Sequence, residues 1–287
     1  MDYSEYCRST YNFMYQQKYD EYLAGRTTKA AQESSERKAQ HEAIIYAFQS
    51  AVEEYSGSAN VTEIWNAIYR AHLFRKIDIT NINDIDETVV DAIISGAQSW
   101  KKSSGHVFED YVCRATQDRL ARHNIRFVLQ KELSQMLADG NIANDSSDHI
   151  EAIVHSDNFD IYAIVNVNGN NIVFGCVQAK TSIRDRVGRD REFSARIMEK
   201  NFWSVAVVLD GTYLAMPKFE SMVNGGGTTQ YVDNGWHGMY AMSNAEERDR
   251  IYEDKSLDLL IDDARQAAEK FTSARQRFTK SWQAFHI

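Results

Sequence analysis

Apolar positions recur at helical spacing through the first hundred residues. In "TKAAQESSERKAQHEAIIYAFQSAVEEY" a stripe runs through Ile44, Ile45, Phe48 and Val52 among strong helix formers. "NVTEIWNAIYRAHLFR" repeats it with Ile64, Trp65, Ile68 and Tyr69, and "DIDETVVDAIISGAQSW" with Val89, Val90, Ile93 and Ile94. "SSGHVFEDYVCRATQDRLARH" predicts a fourth helix, with Ser103 or Ser104 as its N-cap. Core packing is the ordinary use of such stripes, and an interface is the other.

The period then changes. "IRFVLQ", from Ile125 to Gln130, predicts a short strand. "SDNFDIYAIVNVNGNNIVFGCVQAK" predicts a β-hairpin, because two β-rich runs flank Asn168-Gly169-Asn170. A helix is expected to begin near Glu192, and "WSVAVVLDG" predicts a buried strand. "NGGGTTQ" predicts a loop, and "SLDLLIDDARQAAEKFTSARQRFTKSWQAF" one long amphipathic helix. The order implies an α/β (α+β) fold in which helices flank a mixed β-sheet. A helical N-terminal region, 1–100, precedes a catalytic region, 101–287.

Composition adds limits. The 287 residues are 43% hydrophobic and 25% charged, enough for a sizeable core. A single proline, Pro217, and no low-complexity tract speak against a long flexible linker. No apolar run approaches the roughly 18 residues that span a membrane, and "MDYSEYCRSTYNF" is unlike a signal peptide. Cys7, Cys113 and Cys176 are far apart and fit neither a disulfide framework nor a zinc site, so a reducing cytoplasm is the expected setting. The net charge of −9 excludes a nonspecific nucleic-acid coat. Locally the balance reverses: from Lys180 to Lys200 seven basic residues stand against four acids, a net +3.

That basic stretch follows the hairpin. Asp160 opens the first strand and Lys180 ends the second. A two-residue loop centred on Gly169 and Asn170 would set Asp160 against Ala179, and Asp160 and Lys180 would face opposite sides. A shared site therefore requires a one-residue bulge or an odd loop. With that irregularity, an acid and a lysine meet at one sheet end. Phosphodiester hydrolysis needs a carboxylate-held Mg²⁺ and a cation beside the phosphate. A carboxylate would be expected at 178 as well, but Gln178 stands there. Glu192, twelve residues beyond Lys180, is the candidate replacement, and Gln178→Glu would then be expected to restore activity to a chain lacking Glu192. Taken singly, Asp160 could be a strand-end acid, Lys180 a snorkelling strand terminus and Glu192 a helix-start residue.

Arg184-Asp185-Arg186 follows Lys180 by four residues. Arginine binds guanine O6 and N7 bidentately and aspartate accepts from cytosine N4, so the triplet can read adjacent G·C pairs. A solvated, salt-bridged loop is its ordinary alternative.

Phe159-Asp160, "QAKTSIRDR" from Gln178 to Arg186, and Glu192 together resemble the PD-(D/E)xK type II restriction endonucleases, and their CCGG-recognising branch in particular. The likeness extends to "SWKKSSGHVFED", "FWSVAVVLDG", "MPKFESMVNGG" and "NGWHGMY", over most of the chain. Phe159 replaces the family's proline, which is not a ligand. The resemblance implies a cytoplasmic bacterial enzyme that cleaves duplex DNA at a palindrome centred on CCGG. By it Asp160 and Glu192 bind Mg²⁺, Lys180 is catalytic, and Glu109 joins the site. Arg184, Asp185 and Arg186 contact bases, and Thr181 and Ser182 contact phosphate. A palindrome implies a homo-oligomer, dimer or tetramer. Two alternatives stay open here. One is a non-catalytic, sequence-specific DNA-binding protein on a degenerate nuclease fold, which Gln178 favours. The other is a structure-specific repair nuclease, against which the Arg-Asp-Arg element counts.

Overall fold

The computed structural model describes residues 2–25, 27–55, 57–75, 87–143, 159–181, 187–275 and 278–286. They form two compact units, Met1–Tyr111 and Val112–Ile287.

The first unit is helical. It holds α1 (Tyr3–Leu23), α2 (Lys29–Tyr55), α3 (Val61–Phe74) and most of α4 (Glu87–Ala121). Asn60 caps α3 in a capping box with Glu63. Two of the apolar stripes are core: Ile44, Ile45, Phe48, Ile64, Trp65 and Ile68 are all buried. The third is not, since Val90 and Ile94 are exposed and Val89 and Ile93 only half-buried. Aromatic edges hold the helices together, with Phe48 against both Trp65 and Tyr111, and Trp65 against Trp100. The expected third and fourth helices are one continuous 35-residue helix, so Ser103 and Ser104 lie mid-helix and cap nothing. No proline interrupts the span, and a serine in a helix interior costs only a few tenths of a kcal/mol, about the usual propensity range.

The second unit is built on a six-stranded mixed sheet in sequential order: β1 (Ile125–Leu129), β2 (Ile161–Val167), β3 (Asn170–Lys180), β4 (Trp203–Val208), β5 (Gly238–Ala241) and β6 (Ile251–Glu253). The first three strands pair antiparallel, and β3 through β6 run parallel. Helix α5 (Gln130–Ala138) follows β1. Helices α6 (Val187–Glu199) and α7 (Pro217–Asn224) share a core with β4, β5 and β6 that includes Val187, Val208, Met222, Trp236 and Met239. Helix α8 (Asp258–Ala274) brings Phe271 against Phe174 and Phe202. The helix expected to begin near Glu192 begins five residues earlier, at Val187.

The hairpin turns at Asn168-Gly169, one residue before the expected centre. Both residues have positive φ, 52° and 86°. A two-residue hairpin turn of this kind demands that conformation, and Asn and Gly tolerate it best. Val167 pairs with Asn170 and Ile164 with Val173, but Ala163 pairs with Gly175. Phe174 is thus the extra residue of a bulge in β3.

The expected long C-terminal helix stops at Ala274, and residues 278–286 run as a strap with one turn at 280–281 and no regular secondary structure. Side chains of the sheet unit capture the carbonyls a helix would have used. Asn234 donates to Lys280 O, and Arg250 donates to Ser281 O and Trp282 O at 2.8–2.9 Å. His237 Nδ1 accepts from the Ser204 amide, so its Nε2 donates to Thr279 O.

Two predictions follow from this packing. A Cβ built on Gly175, beside the bulge, would lie 2.7 Å from Trp203 O on the neighbouring strand. Gly175→Ala should therefore force β3 and β4 apart and cost about 1–3 kcal/mol in urea unfolding. An unchanged midpoint would show that the strands adjust freely. The second concerns acid. Burial pulls the His237 pKa from its ordinary 6.5 down to about 3. Between those values the unfolded chain binds a proton that the folded chain refuses. The imidazole's contribution is complete above pH 6.5 and declines as pH falls toward 3, by about 1.4 kcal/mol per pH unit. His237→Gln should flatten the pH dependence of the unfolding midpoint over that range. Parallel curves for the two proteins would place the acid sensitivity elsewhere.

Candidate active site

The bulge sets the site. Beyond it Ile161 pairs with Val177. One residue further, the same register sets Asp160 opposite Gln178, so Asp160 and Lys180 share a face. Their side chains meet: Lys180 Nζ donates to Asp160 Oδ2 at 2.7 Å, and the Ala179 amide donates to the same oxygen at 2.9 Å. The irregularity that a shared site required is therefore present, two to three pairs back from the site. The lysine side chain is about one-third exposed and the aspartate 18% exposed, so both remain accessible at the end of the sheet. Asp160 Oδ1 accepts no hydrogen bond from the described residues.

Gln178 is buried, and its amide is committed at both ends. Oε1 accepts from the Trp236 indole at 2.8 Å, and Nε2 donates to the Asp190 carbonyl at 3.2 Å. The side chain thus joins β3 to α6 and to the segment leading into β5. Its carbonyl oxygen serves the indole rather than a cation. The expected rescue by Gln178→Glu is corrected accordingly: a carboxylate here would aim a second acceptor at Asp190 O instead of replacing a ligand.

Helix α6 carries the other acid. Its inner face holds Val187, Ser194 and Met198, and Ser194 Oγ lies 2.7 Å from Ser204 Oγ on β4. Glu192 stands on the outer face, exposed, and forms no ion pair among the described residues. Thr181 is half-buried just past Lys180. Ser182, Arg184, Asp185 and Arg186 lie outside the described residues. Glu109 belongs to the helical unit, where it pairs with His106 at 3.1 Å beside the His41–Asp110 pair. Among the described residues no cluster of three His, Cys, Asp or Glu could hold a metal. Asp160 and Glu192 together would offer two carboxylates. That donor set suits Mg²⁺, which keeps several waters and binds through one or two carboxylates plus substrate phosphate.

Sequence reading did not find Trp236 or Arg191. Trp236 holds Gln178. Arg191 donates to Met222 O and Asp233 O and lies 5.0 Å from the Tyr231 ring, tying α6 to the glycine-rich loop. The mixture of arginine and acid around position 190 gave no sign of which arginine is structural.

Comparison with known proteins agrees with the geometry. Residues 143–277 match the family model described as BsaWI restriction endonuclease type 2. A crystal structure of the pre-specific restriction endonuclease BsaWI–DNA complex is 40% identical, covers all of both chains and has a TM-score of 0.66. A crystal structure of the specific restriction endonuclease AgeI–DNA complex is 17% identical over 88% of this chain and 91% of that one, with a TM-score of 0.54, and shares the fold. No curated protein sequence matches. With an acid and a lysine joined at the end of a bulged hairpin, and that identity over its whole length, the chain belongs to the BsaWI family of type II restriction endonucleases, site-specific nucleases.

Proposed function

We propose that the protein is a Mg²⁺-dependent endonuclease that cuts both strands of duplex DNA at a palindrome centred on CCGG. The observation that carries this reading is the Asp160–Lys180 pair, 2.7 Å apart at adjoining strand ends, in a chain 40% identical to BsaWI. Asp160 and Glu192 would hold the cation. Bound there, Mg²⁺ would polarise the phosphate and lower the pKa of its water. The chain's own part is positional. The Ala179 amide fixes one oxygen of Asp160 and so aims the carboxylate. The Lys180 ammonium, anchored on that same oxygen, would neutralise charge developing on the scissile phosphate.

Arg184, Asp185 and Arg186 would read the G·C pairs, with Thr181 and Ser182 on neighbouring phosphates. One site cuts one strand, so a palindrome calls for at least a homodimer with matching two-fold symmetry. The two structural relatives are DNA complexes, which supports duplex DNA as the partner.

Plasmid digestion with and without Mg²⁺, followed by end sequencing, tests the reading. Ends should map to CCGG. Asp160→Ala, Lys180→Ala and Glu192→Ala should each lower cleavage by about 10²–10³-fold or more while leaving CCGG binding largely intact. Ends at other sequences would remove the specificity claim. Specific binding without any cleavage would make the protein a non-catalytic reader on a nuclease fold.

Gln178→Glu gives a separate prediction. Deprotonated, the new side chain would bury a charge and face Asp190 O without a donor. Loss of about 1–3 kcal/mol in unfolding is expected, with no gain in cleavage whether or not Glu192 is present. Restored cutting in Glu192→Ala/Gln178→Glu would show instead that position 178 reaches the cation.

A further inference from the structure

We propose that Arg189 and Arg196, on the outer face of α6, grip DNA phosphates on either side of the scissile one, and that the ring of Phe193 holds both guanidinium groups clear of Glu192. The inference rests on the reading of Glu192 as a cation ligand and extends it to the surface around that residue.

The three side chains stand at helix positions i, i+4 and i+7, on one face. Glu192 lies between the arginines, three residues after Arg189 and four before Arg196. Helix electrostatics alone would pair it with either. That pairing is absent. The guanidinium carbons lie 5.6 Å and 5.3 Å from the Phe193 ring centroid, one from each side in sequence. Neither arginine forms an ion pair among the described residues, nor does Glu192. Helix α8 supplies the contrast within the same unit. There Arg265 has Asp262 three residues before it and Glu269 four after, and it pairs with both, at 2.8 and 2.9 Å. The same spacing with the signs exchanged gives no pairs on α6, where both guanidinium groups lie over an aromatic ring instead. A cation over a ring face is held at least as well at an exposed site as in a helix ion pair.

The consequence is an exposed face with two available guanidinium groups and one available carboxylate. Two other arginines of the unit are committed: Arg191 to Met222 O and Asp233 O, Arg250 to His237 O and the C-terminal strap. If Glu192 meets a cation on the scissile phosphate, residues one turn to either side, about 5–6 Å away at Cβ, face the same duplex. Guanidinium binds phosphodiester oxygens bidentately. Phe193 is then a positioning residue: it keeps the carboxylate open for the cation and the arginines open for DNA.

The test is salt-dependent binding, by fluorescence anisotropy without metal, to duplexes with and without CCGG between 50 and 200 mM salt. Removing one phosphate contact should flatten the slope of log affinity against log salt by about 0.9. Arg189→Ala and Arg196→Ala should each do so, and the double variant should lose about 1.8. The loss should be equal on both duplexes, because phosphate contacts carry no sequence information. Phe193→Leu keeps both charges, so it should keep the wild-type slope but bind several-fold more weakly at every salt concentration; Phe193→Tyr should restore affinity. A wild-type chain that cuts at CCGG while the double variant keeps its full slope overturns the inference alone. So does a loss confined to the CCGG duplex, and full affinity in Phe193→Leu removes the ring's role. A wild-type chain that binds no duplex overturns the functional reading together with the inference.

Discussion

One residue of register in the β2–β3 hairpin decides whether Asp160 and Lys180 can meet. Side chains on a strand alternate faces, so a regular hairpin with its turn at Asn168-Gly169 would place Asp160 and Lys180 on opposite sides. The bulge at Phe174 shifts the pairing by one, and the acid and lysine then meet at 2.7 Å. The shift is held in place from several directions. Phe174 is buried and stacks on Trp203. Gly175 beside it lets the β4 backbone come closer than any side chain would permit. The parallel pairing of β3 with β4 then runs on to the strand end, where Lys180 lies opposite Val208 and its carbonyl accepts from the Leu209 amide. A local irregularity is thus stabilised by core packing several residues along the strands from the pair it brings together.

Gln178, two residues before Lys180, is given over to architecture. A charged side chain there would have to face solvent or a cation to offset its desolvation. An amide can be buried if each end finds a partner, and here the indole of Trp236 and the carbonyl of Asp190 provide them. The result is a rigid link between the strand that carries Lys180 and the helix that carries Glu192. The proposed placement of a carboxylate on α6 and the burial of Gln178 are therefore complementary: Gln178 helps to fix the helix whose acid would meet the cation. On the same helix, Arg191 is drawn inward to the glycine-rich loop while Arg189 and Arg196 remain outward.

The sequence by itself determined a good deal. The helical stripes through Phe48 and Trp65 marked core positions, because burying an apolar stripe is the main reason such helices form, whereas the stripe through Val90 and Ile94 stays largely exposed. The hairpin was legible from β-branched runs around an Asn-Gly turn, and the geometric condition on Asp160 and Lys180 followed from strand periodicity alone. Family resemblance supplied the chemistry. What it could not determine depended on contacts between distant segments. The C-terminal helix ends early because His237, Asn234 and Arg250, remote in sequence, take up the carbonyls of residues 279–282. Helix α4 runs through two serines because propensity is weak beside packing on an aromatic core. The bulge could be required but not located, since only the packing of Phe174 and the approach of β4 at Gly175 choose where the extra residue goes. Gln178 read as a missing ligand until Trp236, 58 residues away, gave its amide a partner. Local periodicity is written in consecutive residues, whereas the partner of a buried polar group is fixed only when the chain has closed around it.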